Sequence, residues 1–249
     1  MSTNVSRLLP GLRCITFDLD DTLWPLKKTM VNAERKLKAY LESSHPDYVE
    51  AFDHKVLGSL RKKLLISDPS IATRLTELRF NVYAEALEVF GVEKSIARKI
   101  AQEAVELFLY HRNEVEPFAG VEDILEKLAS NYVLGAITNG NVRFELLPIA
   151  RHFAFYVSAE QVGAAKPEPE IFRRALELGR LKDSLITDKS QVLHVGDDLE
   201  TDIYGANRFG FESCWFNPDA KENYGPASDK EWRPRLTIKN LTELLSHLQ

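Results

Sequence analysis

Cys14-Ile15-Thr16-Phe17-Asp18-Leu19-Asp20-Asp21-Thr22 decides how the rest of the chain is read. Four residues suited to a strand run straight into carboxylates, and a strand buried on both faces cannot continue through them. The strand therefore ends at Phe17 and presents Asp18, Asp20 and Thr22 at its carboxyl tip. Later in the chain the same pattern returns. Tyr132-Val133-Leu134-Gly135-Ala136-Ile137 ends at Thr138-Asn139-Gly140, and Gln191-Val192-Leu193-His194-Val195 ends at Gly196-Asp197-Asp198. Each is an apolar strand that stops at polar residues.

Between and after these strands the apolar residues fall at helical spacing. Val121 to Ala129, a stretch from Gly140 to about Ile149, Ile171 to Leu178, Thr201 to Phe209 and Leu241 to Leu248 read as helices. Phe155-Tyr156-Val157, Glu212 to Phe216 and Leu236 to Ile238 read as further short strands. Strands alternating with helices imply an α/β fold, a doubly wound parallel sheet. After Trp24-Pro25 the texture changes, and four amphipathic stretches run from Leu26 to about Arg112 with no strand among them. The first carries Met30, Ala33, Leu37 and Leu41. The second starts near Pro46 and breaks at Asp68-Pro69. The third runs from Ile71 to Gly91, and the fourth follows Ser95, which is expected to cap it. Their apolar stripes must cover one another, so they predict a helical bundle. The expected domains are an α/β core (1–24 and 116–249) and an inserted α-helical cap (25–115).

Composition sets the outer limits. The 249 residues are 44% hydrophobic and 28% charged, with a net charge of −5, which is ordinary globular composition. Mild acidity without a long basic stretch argues against nucleic acid as a partner. Cys14 and Cys214 make neither a disulfide framework nor a C-x-x-C motif. Met1 to Arg13 has no apolar leader core, and no apolar run approaches the ~20 residues of a membrane span. A cytoplasmic protein without membrane contact is expected.

In open parallel sheets, ligands bind beyond the carboxyl ends of the strands, where the polar residues of this chain gather. Taken singly, each has a plain alternative: Asp198 or Asp202 as a helix cap, Thr138-Asn139-Gly140 as a turn, Lys166 as a surface charge. Their joint placement in order along the chain weighs against that. Carboxylates converging on one point repel unless a cation joins them, and oxygen-only ligation suits Mg²⁺. The six histidines are scattered, which disfavours Zn²⁺. A hydroxyl (Thr138) and an ammonium (Lys166) beside the acids are what a phosphoryl group requires.

Asp18-Leu19-Asp20-Asp21-Thr22, Thr138-Asn139-Gly140, Lys166-Pro167 and Gly196-Asp197-Asp198-Leu199-Glu200-Thr201-Asp202 resemble the four motifs of the haloacid dehalogenase (HAD) superfamily of phosphatases. The insertion resembles that superfamily's helical C1-type cap, placed between the first and second motifs. His194 to Trp215 and the tail from Arg235 to Leu245 resemble its bacterial flavin mononucleotide phosphatase branch. The resemblance implies a Rossmann-like core in which Asp18 is the nucleophile, forming an aspartyl-phosphate, and Asp20 is the general acid and base. It implies Mg²⁺ held by Asp18, the Asp20 carbonyl and Asp197, supported by Asp198 and Asp202, with the direct ligand left open between Asp197 and Asp198. Thr138, the Asn139 N–H and Lys166 would hold the phosphate. Asp20 favours phosphoryl transfer over C–halogen cleavage, because dehalogenases of the superfamily need no acid two residues after the nucleophile.

The cap is expected to meet the leaving group. Trp24, Arg79 and Arg112 are the candidates for substrate contact, Trp24 against a flat ring and the arginines at polar groups. The substrate implied is a small phosphorylated metabolite, with flavin mononucleotide or a ribityl phosphate flavin precursor in view. A phosphosugar or nucleotide phosphatase, a phosphomutase, and a non-enzymatic phospho-acceptor signalling domain remain open alternatives, as does the oligomeric state.

Overall fold

The computed structural model describes residues 9–222, 225–226 and 229–248, so the first eight residues of the stretch read for a leader lie outside the described residues. In chain order, β1 (Cys14–Phe17) is followed by α1 (Leu26–Ser44), α2 (His54–Ser67), α3 (Leu75–Val89) and α4 (Lys94–Arg112). Next come α5 (Val121–Ala129), β2 (Val133–Thr138), β3 (Phe155–Ser158), α6 (Ala159–Val162) and α7 (Pro169–Lys182). The chain closes with β4 (Val192–Gly196), α8 (Gly205–Phe209), β5 (Glu212–Phe216), β6 (Leu236–Ile238) and α9 (Glu243–Leu248). These elements form two compact units. One comprises the described residues of Met1–Pro25, Pro117–Asn139 and Pro148–Gln249; the other comprises Leu26–Glu116 and Gly140–Leu147.

The first unit is a six-stranded sheet in the order β3-β2-β1-β4-β5-β6, with every pairing parallel. This is the doubly wound α/β fold. Each residue of β1 is buried, as is each residue of β4, because these strands lie inside the sheet and are covered on both faces. On β2 and β3 the helix α7 buries Ile171, Phe172, Ala175 and Leu176 in one cluster with Cys14, Ile137, Phe155 and Val157. The connection after β1 leads to β2 on one side, while β4 returns to the other. That reversal puts the tips of β1, β2 and β4 around one crevice.

The second unit is helical, with a core that includes Leu37, Leu41, Leu78, Leu87, Ala101, Ala104 and Phe108. The helix α4 packs against both α1 and α3. The helices depart from the sequence reading in several places. The second predicted helix is a 3₁₀ turn, Pro46–Phe52, followed by α2, because the Asp53 carboxylate accepts the Lys55 N–H and starts a new helix. The third is divided at Arg74, whose side chain makes no cap. Asp68 caps the 3₁₀ turn Pro69–Thr73 before α3 begins. The cap of α4 is Glu93, whose carboxylate accepts from the N–H groups of Ser95 and Ile96; Ser95 is already helical. The helix expected from Gly140 to Ile149 is two 3₁₀ turns, Phe144–Leu146 and Pro148–His152, since Pro148 has no N–H with which to continue a helix.

Among the described residues no helix is long and apolar enough to cross a membrane. Both cysteines are free and buried, and burial pushes the Cys14 thiol up to about 12.

Candidate active site

The tips of three strands supply the site. Asp18 directly follows β1, and its N–H donates to Val195 O on β4 at 2.8 Å, so the sheet ladder fixes the backbone that carries the carboxylate. Thr138 is the last residue of β2 and is 1% exposed. Gly196 ends β4, and a π-helical turn, Leu199–Tyr204, brings Asp202 back over it. A Cβ on Gly196 would lie 2.2 Å from the Asp202 carboxyl carbon, so only glycine leaves room for that return.

Lys166 reaches into this crevice from the loop before α7. Its Nζ donates to Asp18 Oδ1 at 2.5 Å, Asp202 Oδ1 at 2.6 Å and Ile137 O at 3.1 Å. The ammonium thus has three acceptors while almost wholly out of solvent. The loop that carries it is held by Asn139, whose Oδ1 accepts the Lys166 N–H (2.8 Å) and whose Nδ2 donates to Lys166 O (3.0 Å). The Asn139 side chain is therefore a clamp on the lysine backbone, a part that no motif spacing indicated.

Charge is unevenly balanced here. Burial works against the Lys166 ammonium, yet the carboxylates of Asp18 and Asp202 raise it above the ordinary lysine range. Burial likewise opposes the charge on Asp202, but Lys166 and His194 hold its carboxyl below the usual value. Asp18 moves the other way. Burial raises its carboxyl well above normal, and the charges of Asp202 and Asp20 add to this against the pull of Lys166. Asp197, which accepts from Thr22 Oγ1 at 3.3 Å, is pushed up to about 7 by burial and then by Asp202 and Asp21. Asp18, Asp197 and Asp202 each bring an oxygen within 4.8 Å of the others. Lys166 is one positive charge among three carboxylates. An all-oxygen set with surplus negative charge fits a hard divalent cation such as Mg²⁺.

Of the expected residues, Asp18, Lys166, Asp197 and Asp202 are brought together. Asp202 is the ion-pair partner of Lys166 as well as a member of the acidic group. Asp198 serves as a cap instead. Its Oδ1 accepts from the N–H groups of Glu200 and Thr201 at the start of the π-helical turn, while its own N–H donates to Asp202 Oδ2. Asp20 is half-buried and receives the Trp24 indole N–H. Trp24 has no exposed surface, so it does not offer a face for a flat ring as expected. Arg79 and Arg112 belong to the helical unit. The Arg79 guanidinium lies 3.5 Å from the Phe108 ring centroid and donates to Tyr83 Oη at 3.0 Å. Arg112, the last residue of α4, is 1% exposed and so is not a surface charge.

His194 is a site residue that the sequence reading misses. It is completely buried, with Nε2 3.0 Å from Asp202 Oδ1 and Nδ1 2.9 Å from Thr16 Oγ1. Burial lowers its basicity, and because a carboxylate only accepts, Nε2 is the donor to Asp202. The available signal is a lone imidazole in an otherwise apolar strand, since a buried polar ring requires partners.

A model of the haloacid dehalogenase-like hydrolases matches residues 12–210. The chain is 31% identical to the 5-amino-6-(5-phospho-D-ribitylamino)uracil phosphatase YigB of Escherichia coli (strain K12), over 96% of this chain and 98% of that protein. It is 35% identical to the pyrimidine 5′-nucleotidase YjjG of the same organism, over 51% of this chain and 55% of that one. Among solved structures, it superposes on a 2-haloacid dehalogenase from Pseudomonas syringae pv. Tomato DC3000 with a TM-score of 0.86 and 36% identity, covering 95% of this chain and 98% of the other.

Proposed function

The chain belongs to the haloacid dehalogenase-like hydrolase family and is a phosphatase, and from that premise we propose that it hydrolyses the phosphomonoester of a small metabolite through an aspartyl-phosphate on Asp18. The observation that carries this reading is the buried convergence of Asp18, Lys166 and Asp202 beside Asp197, with a second acid, Asp20, two residues beyond Asp18.

The steps follow from the positions of these groups. Thr138 Oγ1 and the Asn139 N–H hold the phosphoryl oxygens as fixed donors, and the Lys166 ammonium, whose hydrogens go to Asp18, Asp202 and Ile137 O, offsets their negative charge. A carboxylate oxygen of Asp18 attacks phosphorus, the bond from phosphorus to the leaving oxygen breaks, and Asp20 protonates that oxygen. Asp20, now a carboxylate, takes a proton from water as the water attacks the aspartyl-phosphate, releasing phosphate and restoring Asp18. Asp202 keeps Lys166 charged and aimed throughout. Asp18, the Asp20 carbonyl and Asp197 would hold Mg²⁺. When bound, the metal neutralises charge on both the nucleophile and its anionic target.

The substrate class we propose is a ribityl monophosphate bearing a heterocycle, such as flavin mononucleotide or a ribityl precursor. The relative named for a phosphoribitylamino-uracil supports this. Likeness to a structure named as a 2-haloacid dehalogenase favours a second reading, C–halogen cleavage at the same Asp18. Asp20 weighs against it, because halide departs without a proton.

The test is phosphate release from flavin mononucleotide, a ribityl monophosphate, nucleoside and sugar monophosphates and an aryl phosphate, with Mg²⁺ and with EDTA, beside halide release from 2-chloropropionate. Expected is Mg²⁺-dependent phosphate release, highest in kcat/KM on the ribityl phosphates and absent in Asp18→Asn. Uniform kcat/KM across the panel overturns the substrate class alone. Undiminished turnover in EDTA overturns the metal. Halide release without phosphate release overturns the reaction.

A further inference from the structure

Resting on that reading, we propose that Trp24 is the positioning residue of the general acid: its indole N–H fixes the Asp20 carboxylate so that Oδ1 is always the acceptor and Oδ2 is the oxygen that carries the proton. The observation is a bond of 2.9 Å from Trp24 Nε1 to Asp20 Oδ1, made by a tryptophan with no solvent-accessible surface.

The loop between the two residues is built to hold this bond. Asp20 and Trp24 form a parallel bridge, the Asp21 N–H donates to Trp24 O at 2.8 Å, and the Leu23 N–H donates to Leu19 O at 2.8 Å. Asp21 takes φ = 58° to close the turn, a left-handed conformation that aspartate tolerates better than most residues. The Phe118 N–H donates to Leu23 O at 2.9 Å, which ties the loop to the start of the next segment of the same unit. The indole is therefore presented from a fixed backbone.

The chemistry of the donor makes the bond directional. An indole N–H gives a hydrogen bond and accepts none. It engages Asp20 as a carboxylate and as a neutral acid alike, but in the acid the unprotonated carbonyl oxygen is the stronger acceptor. Pinning Oδ1 thereby assigns the proton to Oδ2 in both halves of the reaction. A carboxyl group turning freely about χ2 would present either oxygen, and an acid must be within hydrogen-bond reach of the leaving oxygen to act.

The experiment replaces the donor and keeps the shape. Site-specific incorporation of 3-benzothienylalanine at position 24 exchanges the N–H for sulfur in an isosteric bicycle; Trp24→Phe is the simpler companion. Both are compared with the parent on a series of alkyl and aryl phosphates of falling leaving-group basicity, with phosphoenzyme formation followed in the pre-steady state. For alkyl phosphates, formation should slow by about 10- to 100-fold with KM unchanged, a part of the ~10²–10⁴ that a general acid typically supplies. For 4-nitrophenyl phosphate, whose leaving group needs no proton, formation should change less than about twofold. The same substitution in an Asp20→Asn background should add nothing. A loss equal across all leaving groups, or no loss, overturns the inference and leaves the phosphatase standing. A parent that forms no phosphoenzyme overturns both.

Discussion

Lys166 Nζ lies 2.6 Å from Asp202 Oδ1, and the two side chains are only 2% and 1% exposed. Asp202 also accepts from His194 and from the Asp198 N–H, so the lysine's counter-charge is already held from two other directions when it meets the ammonium. The position of Lys166 against Asp18 is thus inherited from the interior of the sheet. It does not depend on a flexible surface side chain finding its partner.

Removing the ammonium should damage fold and activity together. Lys166→Met leaves Asp18 and Asp202 facing one another in a dry site. Breaking a buried pair from one side costs about 3–5 kcal/mol, and losing a fixed positive charge beside the phosphate costs about 10²–10³ in rate. Urea unfolding and phosphate release measure the two effects. Lys166→Arg should not rescue the rate, because a planar guanidinium cannot take the place of a compact ammonium among three acceptors.

The metal assignment separates two adjacent acids. Asp198 commits its carboxylate to the N–H groups of Glu200 and Thr201, whereas Asp197 lies with Asp18 and Asp202. Asp197→Asn should raise the Mg²⁺ concentration for half-maximal turnover by at least about tenfold, and Asp198→Asn should shift it far less, since asparagine also caps. A Mg²⁺ titration of both variants checks the order; a larger shift in Asp198→Asn would assign the ligand to Asp198.

Gly196→Ala places a methyl group where the Asp202 carboxyl already sits. Overpacking of this kind costs about 1–3 kcal/mol, and here any relief moves Asp202 and Lys166 with it. A lowered urea midpoint accompanied by a fall in kcat is expected, and an unchanged rate in a folded variant would show that Asp202 can shift without consequence.

Away from the site, Arg13 Nε donates to Asp183 Oδ2 at 2.6 Å, joining the approach to β1 to the residue after α7. That bond, with the Leu185 N–H, holds the Asp183 carboxyl below its usual value. A carboxyl lowered in the folded state adds stability that is complete above its unfolded value of about 3.9 and is lost as the pH falls through the folded one. Asp183→Asn should lower the urea midpoint at pH 7, and the gap from the parent should narrow progressively as the pH falls below about 4. A gap that does not narrow at all as the pH falls below about 4 would place the contribution in packing instead.

How far the sequence could be read depended on the range of the interactions involved. Asp18, Asp20, Thr138, Lys166 and Asp197 announce themselves because a buried strand cannot run through polar residues, so each marks a strand end or the loop beside one by chain-local rules. The helical insertion is legible from its apolar stripes for the same reason. Helix beginnings were less so. Glu93 displaced Ser95 as a cap, and Asp53 divided a single periodic run, because a carboxylate can cap without altering the hydrophobic period.

The sequence by itself determined a parallel α/β sheet, a helical insertion and acids gathered at the strand tips, since alternation, periodicity and charge are properties of neighbours along the chain. Only the tertiary structure decided what each polar group does. It turned Asn139 into a clamp on Lys166, committed Asp198 to a cap, gave Asp202 to the lysine, joined buried His194 to Asp202, and set the Trp24 indole on Asp20. The bonds of Asp202 to Lys166 and His194 are made out of solvent, where every donor and acceptor must find a partner. Partners as far apart in the chain as Asp18 and Lys166, 148 residues, or Thr16 and His194, 178 residues, meet only when the sheet has formed.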